Sequence, residues 1–332
     1  MPSANLAPLV TVIVLAVVFD FINGFHDTAN AVATVISTRV MRPWVAITMA
    51  AVLNFAGAMS GTEVARTVGS GIVGASVPLI AVSAALVAAT AWNLFTWWRG
   101  IPSSSSHALI GSLLGAGLAS LGPGAVHWSV LRDKVVFPLV LSPIVGLLAA
   151  LWLMRLLVHG FGAMPPRRVG PIFRRSQIVS AAFMSFSHGS NDAQKTMGIM
   201  TLALVSAGAL TSFHVPVWVI ALSAGAMGAG TLAGGRRIIH TLSNRLADLQ
   251  PIHGFAAETS AAVVIQVASR LGFPLSTTHV ISSSILGVGA ARRVNAVRWG
   301  VARTMVNAWI LTIPVTAALG FIAASLAHVL VH

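Results

Sequence analysis

Two short stretches set charge inside apolar sequence. Residues 21–30 read FINGFHDTAN and residues 185–196 read SFSHGSNDAQKT, each flanked by long apolar runs. Asp27 and Asp192 are acceptors only when ionised, and an ionised side chain at a bilayer centre costs about 2.5–3.5 kcal/mol on insertion scales. Residues kept there against that cost bind ions, move protons or pair with another charge. Lys195 could neutralise either aspartate or stand where a cation would otherwise bind; a buried structural ion pair is the plainer alternative. Two further stretches supply donors, PSSSSH at 102–107 and PLSTTH at 274–279. Ser104, Ser105 and Ser106, with Ser276, Thr277 and Thr278, follow a proline and precede an apolar run, so they open helices. Free amides at a helix N-terminus, with hydroxyls beside them, suit a tetrahedral oxyanion. Singly, such residues are more often N-caps. The carboxylates would repel an anion unless a proton or cation lay between, so the pattern points to an anion coupled to H⁺ or Na⁺. Asn191 and Gln194 could donate to the anion or cap a helix end.

The elements that must position these residues are membrane spans. Of 332 residues, 56% are hydrophobic and 8% charged, and the mean hydropathy is +0.87. Soluble domains carry about 25% charged residues, so a multi-pass inner-membrane protein is expected. No basic n-region of a cleavable signal peptide is evident. The net charge of +13 does not indicate nucleic acid, because the arginines gather in short gaps between apolar runs. These are Arg39/Arg42, Arg167/Arg168/Arg174/Arg175, Arg236/Arg237/Arg245 and Arg292/Arg293/Arg298/Arg303, the distribution of cytoplasmic loops under the positive-inside rule. With no cysteine in the chain, thiolate metal sites and Cys nucleophiles are excluded.

The chain also repeats itself. Gly24–Asn30 aligns with Gly189–Lys195, Pro102–His107 with Pro274–His279, and Gly115/Gly117 with Gly287/Gly289, in the same order. Residues 1–159 and 177–332 are read as two repeats joined by a basic cytoplasmic linker at 160–176. Each repeat should hold three crossing spans and one hairpin. The crossing segments are 8–38, 44–61 and 135–158, then 177–207, 214–234 and 299–331. The first of each set is expected to break, at 23–30 and at 188–195. The hairpins, 76–120 and 255–290, should re-enter, because an arm as short as 279–290 does not cross a bilayer. An odd number of crossings inverts the second repeat, with both termini outside. The expected fold is thus an all-α integral membrane protein of two inverted-topology repeats, an architecture of secondary transporters. Residues 235–250 read as an interfacial amphipathic segment.

Other groups are weighed less heavily. Arg99 and Arg270 precede the tip prolines and could clamp an oxyanion, but snorkelling or pairing with Glu63 or Glu258 is favoured. His26, His107, His188 and His279 flank the polar stretches and could relay protons. Glu258 is a further intramembrane carboxylate. A Ser105/His107 hydrolase and an anion channel are rivals of other classes; no HExxH, GxSxG or Walker motif is present.

At these residues the chain resembles the inorganic phosphate transporter (PiT) family. GFHDTANAVATVISTR, PSSSSHALIG, HGSNDAQKTMGIM and PLSTTHVISSSILG together look like its bacterial low-affinity members, and the likeness covers nearly the whole chain. It implies a duplicated inverted fold, symport of inorganic phosphate and a homodimer. It assigns cation ligation to Asp27, Asn30, Asn191 and Asp192, and phosphate to the Ser/Thr triplets. Two residues depart from sodium-coupled members: His26 and Lys195 stand where those have Asn. H⁺ coupling is therefore expected rather than Na⁺, with no cofactor, and with phosphate carried free or as a neutral complex with a divalent metal. Sulfate is the rival substrate within the same fold.

Overall fold

The computed structural model describes residues 6–74, 77–244, 249–292, 295 and 297–331. Arg245 and Arg293 of the basic clusters lie outside the described residues. The first half contains α1 (Leu6–Ser37), α2 (Pro43–Ala58), α3 (Glu63–Gly71), α4 (Leu79–Arg99) and α5 (Ser105–Leu121). It closes with α6 (Trp128–Val130), a π turn at Leu131–Val136 and α7 (Phe137–Phe161), which run on as one rod. The second half contains α8 (Pro166–Ser206), α9 (Val217–Ala233), α10 (Arg236–Asn244), α11 (Pro251–Arg270), α12 (Thr277–Arg292) and α13 (Trp299–Val331). α1, α4, the 128–161 rod and α13 are each long and apolar enough to cross a bilayer, and α2 with α3 makes a further candidate bent by 68°.

The halves exchange contacts reciprocally. α1 packs on α9 as α8 packs on α2, α1 lies on α4 as α8 lies on α11, and α5 meets α13 as α12 meets α7. Of the expected amphipathic segment at 235–250, Arg236–Asn244 form α10, which lies against α1 as α3 lies against α8, and 245–248 lie outside the described residues. The segment expected to cross at 44–61 is helical only to Ala58, and the short separate helix α3 follows it.

One expectation is corrected. α1 and α8 do not break at 23–30 or 188–195; both are continuous helices. The glycines there serve close approach instead. A Cβ on Gly24 would run into the Met227 carbonyl of α9, and one on Gly189 into the Asn54 carbonyl of α2. Gly230 and Gly57 return the contact, facing the carbonyls of Phe21 and Phe186. Small residues at such crossings let backbones touch. Asp27, Asn30, Asn191, Asp192, Gln194 and Lys195 each find a partner on a neighbouring element or along the same helix, so neither helix unwinds to satisfy them.

The basic 160–176 stretch is mostly helical, since α8 begins at Pro166. Arg174 donates to the Arg39 carbonyl (3.2 Å), holding the start of α8 near the end of α1.

The two hairpins are built alike. α4 ends at Gly100 (φ 66°), whose N–H bonds to Trp97 O (2.9 Å) while Ile101 N–H bonds to Thr96 O (2.9 Å). α11 ends with Gly272 (φ 73°), Gly272 N–H on Ser269 O (3.1 Å) and Phe273 N–H on Ala268 O (2.8 Å). This paired closure needs a left-handed residue, which glycine takes without strain. Pro102 and Pro274 then keep the chain extended until the next helix opens.

Candidate functional site

The two hairpin tips meet inside the bundle, against α1 and α8. Ser106 Oγ, on the first tip, donates to the Leu275 carbonyl on the second (2.9 Å). Behind them His107 and His279 pack edge to face with ring centroids 4.4 Å apart, and His279 stacks on Trp309 (4.0 Å). Trp309 Nε1 donates to the Pro102 carbonyl (3.1 Å), tying α13 to the first tip.

Each triplet divides its work in the same way. Ser104 and Ser276 cap their helices, accepting from His107 N–H (3.1 Å) and His279 N–H (3.3 Å). The second member of each triplet reaches an aspartate: Ser105 Oγ donates to Asp27 Oδ2 (2.7 Å), and Thr277 Oγ1 to Asp192 Oδ2 (2.9 Å). The third members differ by partner. Ser106 Oγ accepts from Lys195 Nζ, whereas Thr278 Oγ1 accepts from Asn30 Nδ2 (2.8 Å). Asn30 and Lys195, aligned in sequence, therefore take matching places, each reaching the tip of the opposite half.

Around the aspartates the halves diverge. Asp27 Oδ1 pairs with His26 Nδ1 (2.5 Å), and His26 Nε2 is bonded to Thr96 Oγ1 (3.1 Å). Asp192 Oδ1 pairs with Lys195, and His188 Nε2 lies 3.1 Å from Asp192 Oδ2. His188 is held in turn by Asn54 (3.1 Å), which donates to Thr231 (2.9 Å). Lys195 Nζ donates to Ser106, to Asp192 and to the Leu275 carbonyl (2.7 Å). All these side chains are buried. One ligand atom from each of Asp27, His188 and Asp192 lies within 4.8 Å of the others, a spacing that one cation or a shared proton could span.

Not every residue singled out in the sequence faces this point. Asn191 Nδ2 donates away from the tip triplet, to Ser269 (2.9 Å) and the Phe273 carbonyl (3.1 Å) on the other arm of the second hairpin. Gln194 accepts from Val64 N–H (2.8 Å) at the start of α3 and donates to the Ser190 carbonyl (2.7 Å). Arg99 is exposed, its guanidinium over the rings of Phe95 and Trp98, and Arg270 is exposed as well. Glu258 takes donors from Thr34 (2.5 Å), Gln177 (3.1 Å) and Ser180 rather than an arginine. Ser105 and His107 do not touch as a nucleophile and base would: the serine binds Asp27, and His107 Nδ1 faces the Trp309 carbonyl (3.4 Å). Asn54, Thr96 and Thr231 enter the network without a sequence signal. Asp20, a carboxylate in the apolar run ahead of the repeated motif, accepts from Thr196 of α8 (2.7 Å).

A sequence model described as the phosphate transporter family matches residues 23–320. The chain belongs to that family. Members of the phosphate transporter family are transport proteins, not enzymes, so the hydrolase alternative falls. The transporter is 49% identical over 313 residues to a Rhizobium meliloti protein named "Probable low-affinity inorganic phosphate transporter", covering 93% of each chain. A Bacillus subtilis protein of the same name is 46% identical over 318 residues, covering 95% of each. Among solved structures, one titled "The sodium-dependent phosphate transporter" superposes with a TM-score of 0.91 at 24% identity, over 98% of this chain and 100% of that one. The transporter shares that protein's fold, and it is a multi-pass membrane protein.

Proposed function

We propose that the transporter is a proton-coupled symporter of inorganic phosphate that works by alternating access, with phosphate held between the two hairpin tips. One observation carries the reading. The hydroxyls suited to a phosphate, Ser105 and Thr277, donate to the two carboxylates suited to a proton. A protonated carboxyl is a much poorer acceptor and carries no charge. Protonation of Asp27 and Asp192 therefore frees both hydroxyls for phosphate oxygens and removes the repulsion that would exclude the anion. Deprotonation reverses both effects and expels the substrate. The N-termini of α5 and α12 add backbone donors to the same point.

Lys195 favours protons over sodium. Its ammonium lies among a hydroxyl, a carboxylate and a carbonyl, the kind of oxygen set a bound cation would use. Sodium is kept as a second reading because the structural relative is described as sodium-dependent and the Asp27–His188–Asp192 spacing suits one ion. The proposed ligand set is Ser105, Ser106, Thr277 and Thr278 for phosphate, with Ser104 and Ser276 holding the helix ends. Asp27 and Asp192 carry the coupling proton, assisted by His26, Asn30 and Lys195.

The same reading treats residues 1–159 and 177–332 as inverted repeats rocking about this point. Both termini lie outside and the basic 160–176 stretch in the cytoplasm, by the positive-inside rule; the chain sits in the cell membrane as a homodimer. Proteoliposome uptake of labelled phosphate tests the function. Uphill accumulation driven by an imposed pH gradient without sodium is expected. Accumulation that follows a sodium gradient alone establishes the second reading, and stronger competition by sulfate than by arsenate overturns the choice of substrate.

A further inference from the structure

Asp20 lies two helical turns before Asp27 on α1 and is fully buried. Its Oδ1 accepts from Thr196 Oγ1 of α8 (2.7 Å), and the Ser223 hydroxyl of α9 is its other near polar neighbour. Its Oδ2 has no hydrogen-bond partner among the described residues. Three residues on, Asn23 is 2% exposed and its Oδ1 is likewise without a partner. Positions 20, 23 and 27 follow steps of three and four, so they share one face of the helix. Two buried acceptor oxygens on one helix face, Asp20 Oδ2 and Asn23 Oδ1, are thus left without a hydrogen-bond partner among the described residues. Glu258 is the contrast: three side chains donate to its two oxygens, so its needs are met as it stands.

We propose that Asp20 is a second proton-binding site of the transporter, on the side of the tips toward the N-terminal end of α1, which takes up and releases one proton in each transport cycle. The proposal rests on the proton-coupled reading above. The proton arrives as hydronium from the water outside, bonds to the free Oδ2 lone pair and leaves a neutral carboxyl able to donate to an acceptor oxygen such as that of Asn23. It departs to water admitted when the tips part, and the carboxylate re-forms. The charged groups facing this point are Asp192 and Lys195 of α8. α9 brings no titratable side chain, and the only one on α4 is the exposed Arg99 at its far end.

The test uses the full-length chain in proteoliposomes, comparing wild type with Asp20→Asn and Asp20→Glu. A gradient of one pH unit supports about tenfold accumulation per coupled proton. Asp20→Asn should keep phosphate exchange, which moves no net protons, within about twofold of wild type while losing that accumulation. Asp20→Glu should restore accumulation with a shifted pH midpoint. Difference infrared spectra should lose a protonated-carboxyl band in Asp20→Asn. Accumulation and pH profile unchanged in Asp20→Asn, or exchange and accumulation falling together with the infrared band intact, overturn the proposal. Should Asp20→Asn not fold, an unshifted midpoint in Asp20→Glu overturns it too. A wild type driven only by sodium removes the parent reading along with it. A wild type driven by pH beside an unaltered Asp20→Asn removes Asp20 alone.

Discussion

The two halves of the site share a scaffold and differ in charge. Asp27 sits with a histidine and, a turn later, Asn30; Asp192 sits with His188 and Lys195. Serine or threonine from the tip serves both carboxylates in the same way. One half therefore carries a carboxylate paired with an imidazole alone, and the other a carboxylate paired with both an imidazole and an amine. Duplication supplies a symmetric frame, and one aligned pair, Asn30 and Lys195, makes its halves chemically unequal.

The largest effects should come from the aspartates. Asp27→Asn and Asp192→Asn should each abolish uphill uptake in proteoliposomes. Only the second strands a buried ammonium, so it should also lower stability by about 3–5 kcal/mol, against about 1–3 kcal/mol for the first. Equal losses in detergent unfolding curves would break the comparison. Lys195→Asn sharpens it by making the halves alike. If the ammonium stands in for a cation, this variant should gain phosphate uptake that sodium stimulates, and a sodium-indifferent Lys195→Asn removes that role.

Within the tips, Ser105→Ala and Thr277→Val each remove a donor to a charged group, worth about 1.5–3 kcal/mol, or roughly ten- to a hundredfold in kcat/KM for phosphate. Ser104→Ala and Ser276→Ala remove caps. They should cost about 1 kcal/mol of stability with KM unchanged, and a raised KM would move the caps into the binding set. The smallest effect is expected of Gln194→Ala. It frees the start of α3 at a cost of about 1 kcal/mol, read as faster amide exchange at Val64, with uptake kinetics unaltered.

How much of this was legible in the sequence depends on what each signal reports. The tips were legible because a proline, a run of hydroxyls and an apolar helix form a local pattern, and its recurrence 172 residues later paired the two. The reciprocal roles of Ser105 and Thr277 follow from that alignment. The breaks expected in α1 and α8 failed because polar residues and glycines in an apolar run look the same whether a helix unwinds or presses against a neighbour. Only the positions of Met227 and Asn54, distant in sequence, tell the two apart. The two roles open to Gln194 could not be told apart for a related reason: its partner is a backbone amide of α3, a helix without an apolar run to announce it. Asp20 lacks a repeat partner, since the aligned position is Ser185, so the duplication carries no signal for it.

Lys195 donates to both tips at once, through Ser106 on one and the Leu275 carbonyl on the other. If the tips separate during transport, this ammonium stays with one and leaves the other. Asp192, three residues away on the same helix, moves with it, so the pair takes no net charge across the membrane's electric field. Membrane voltage would then act on charge that enters from solution rather than on this ion pair.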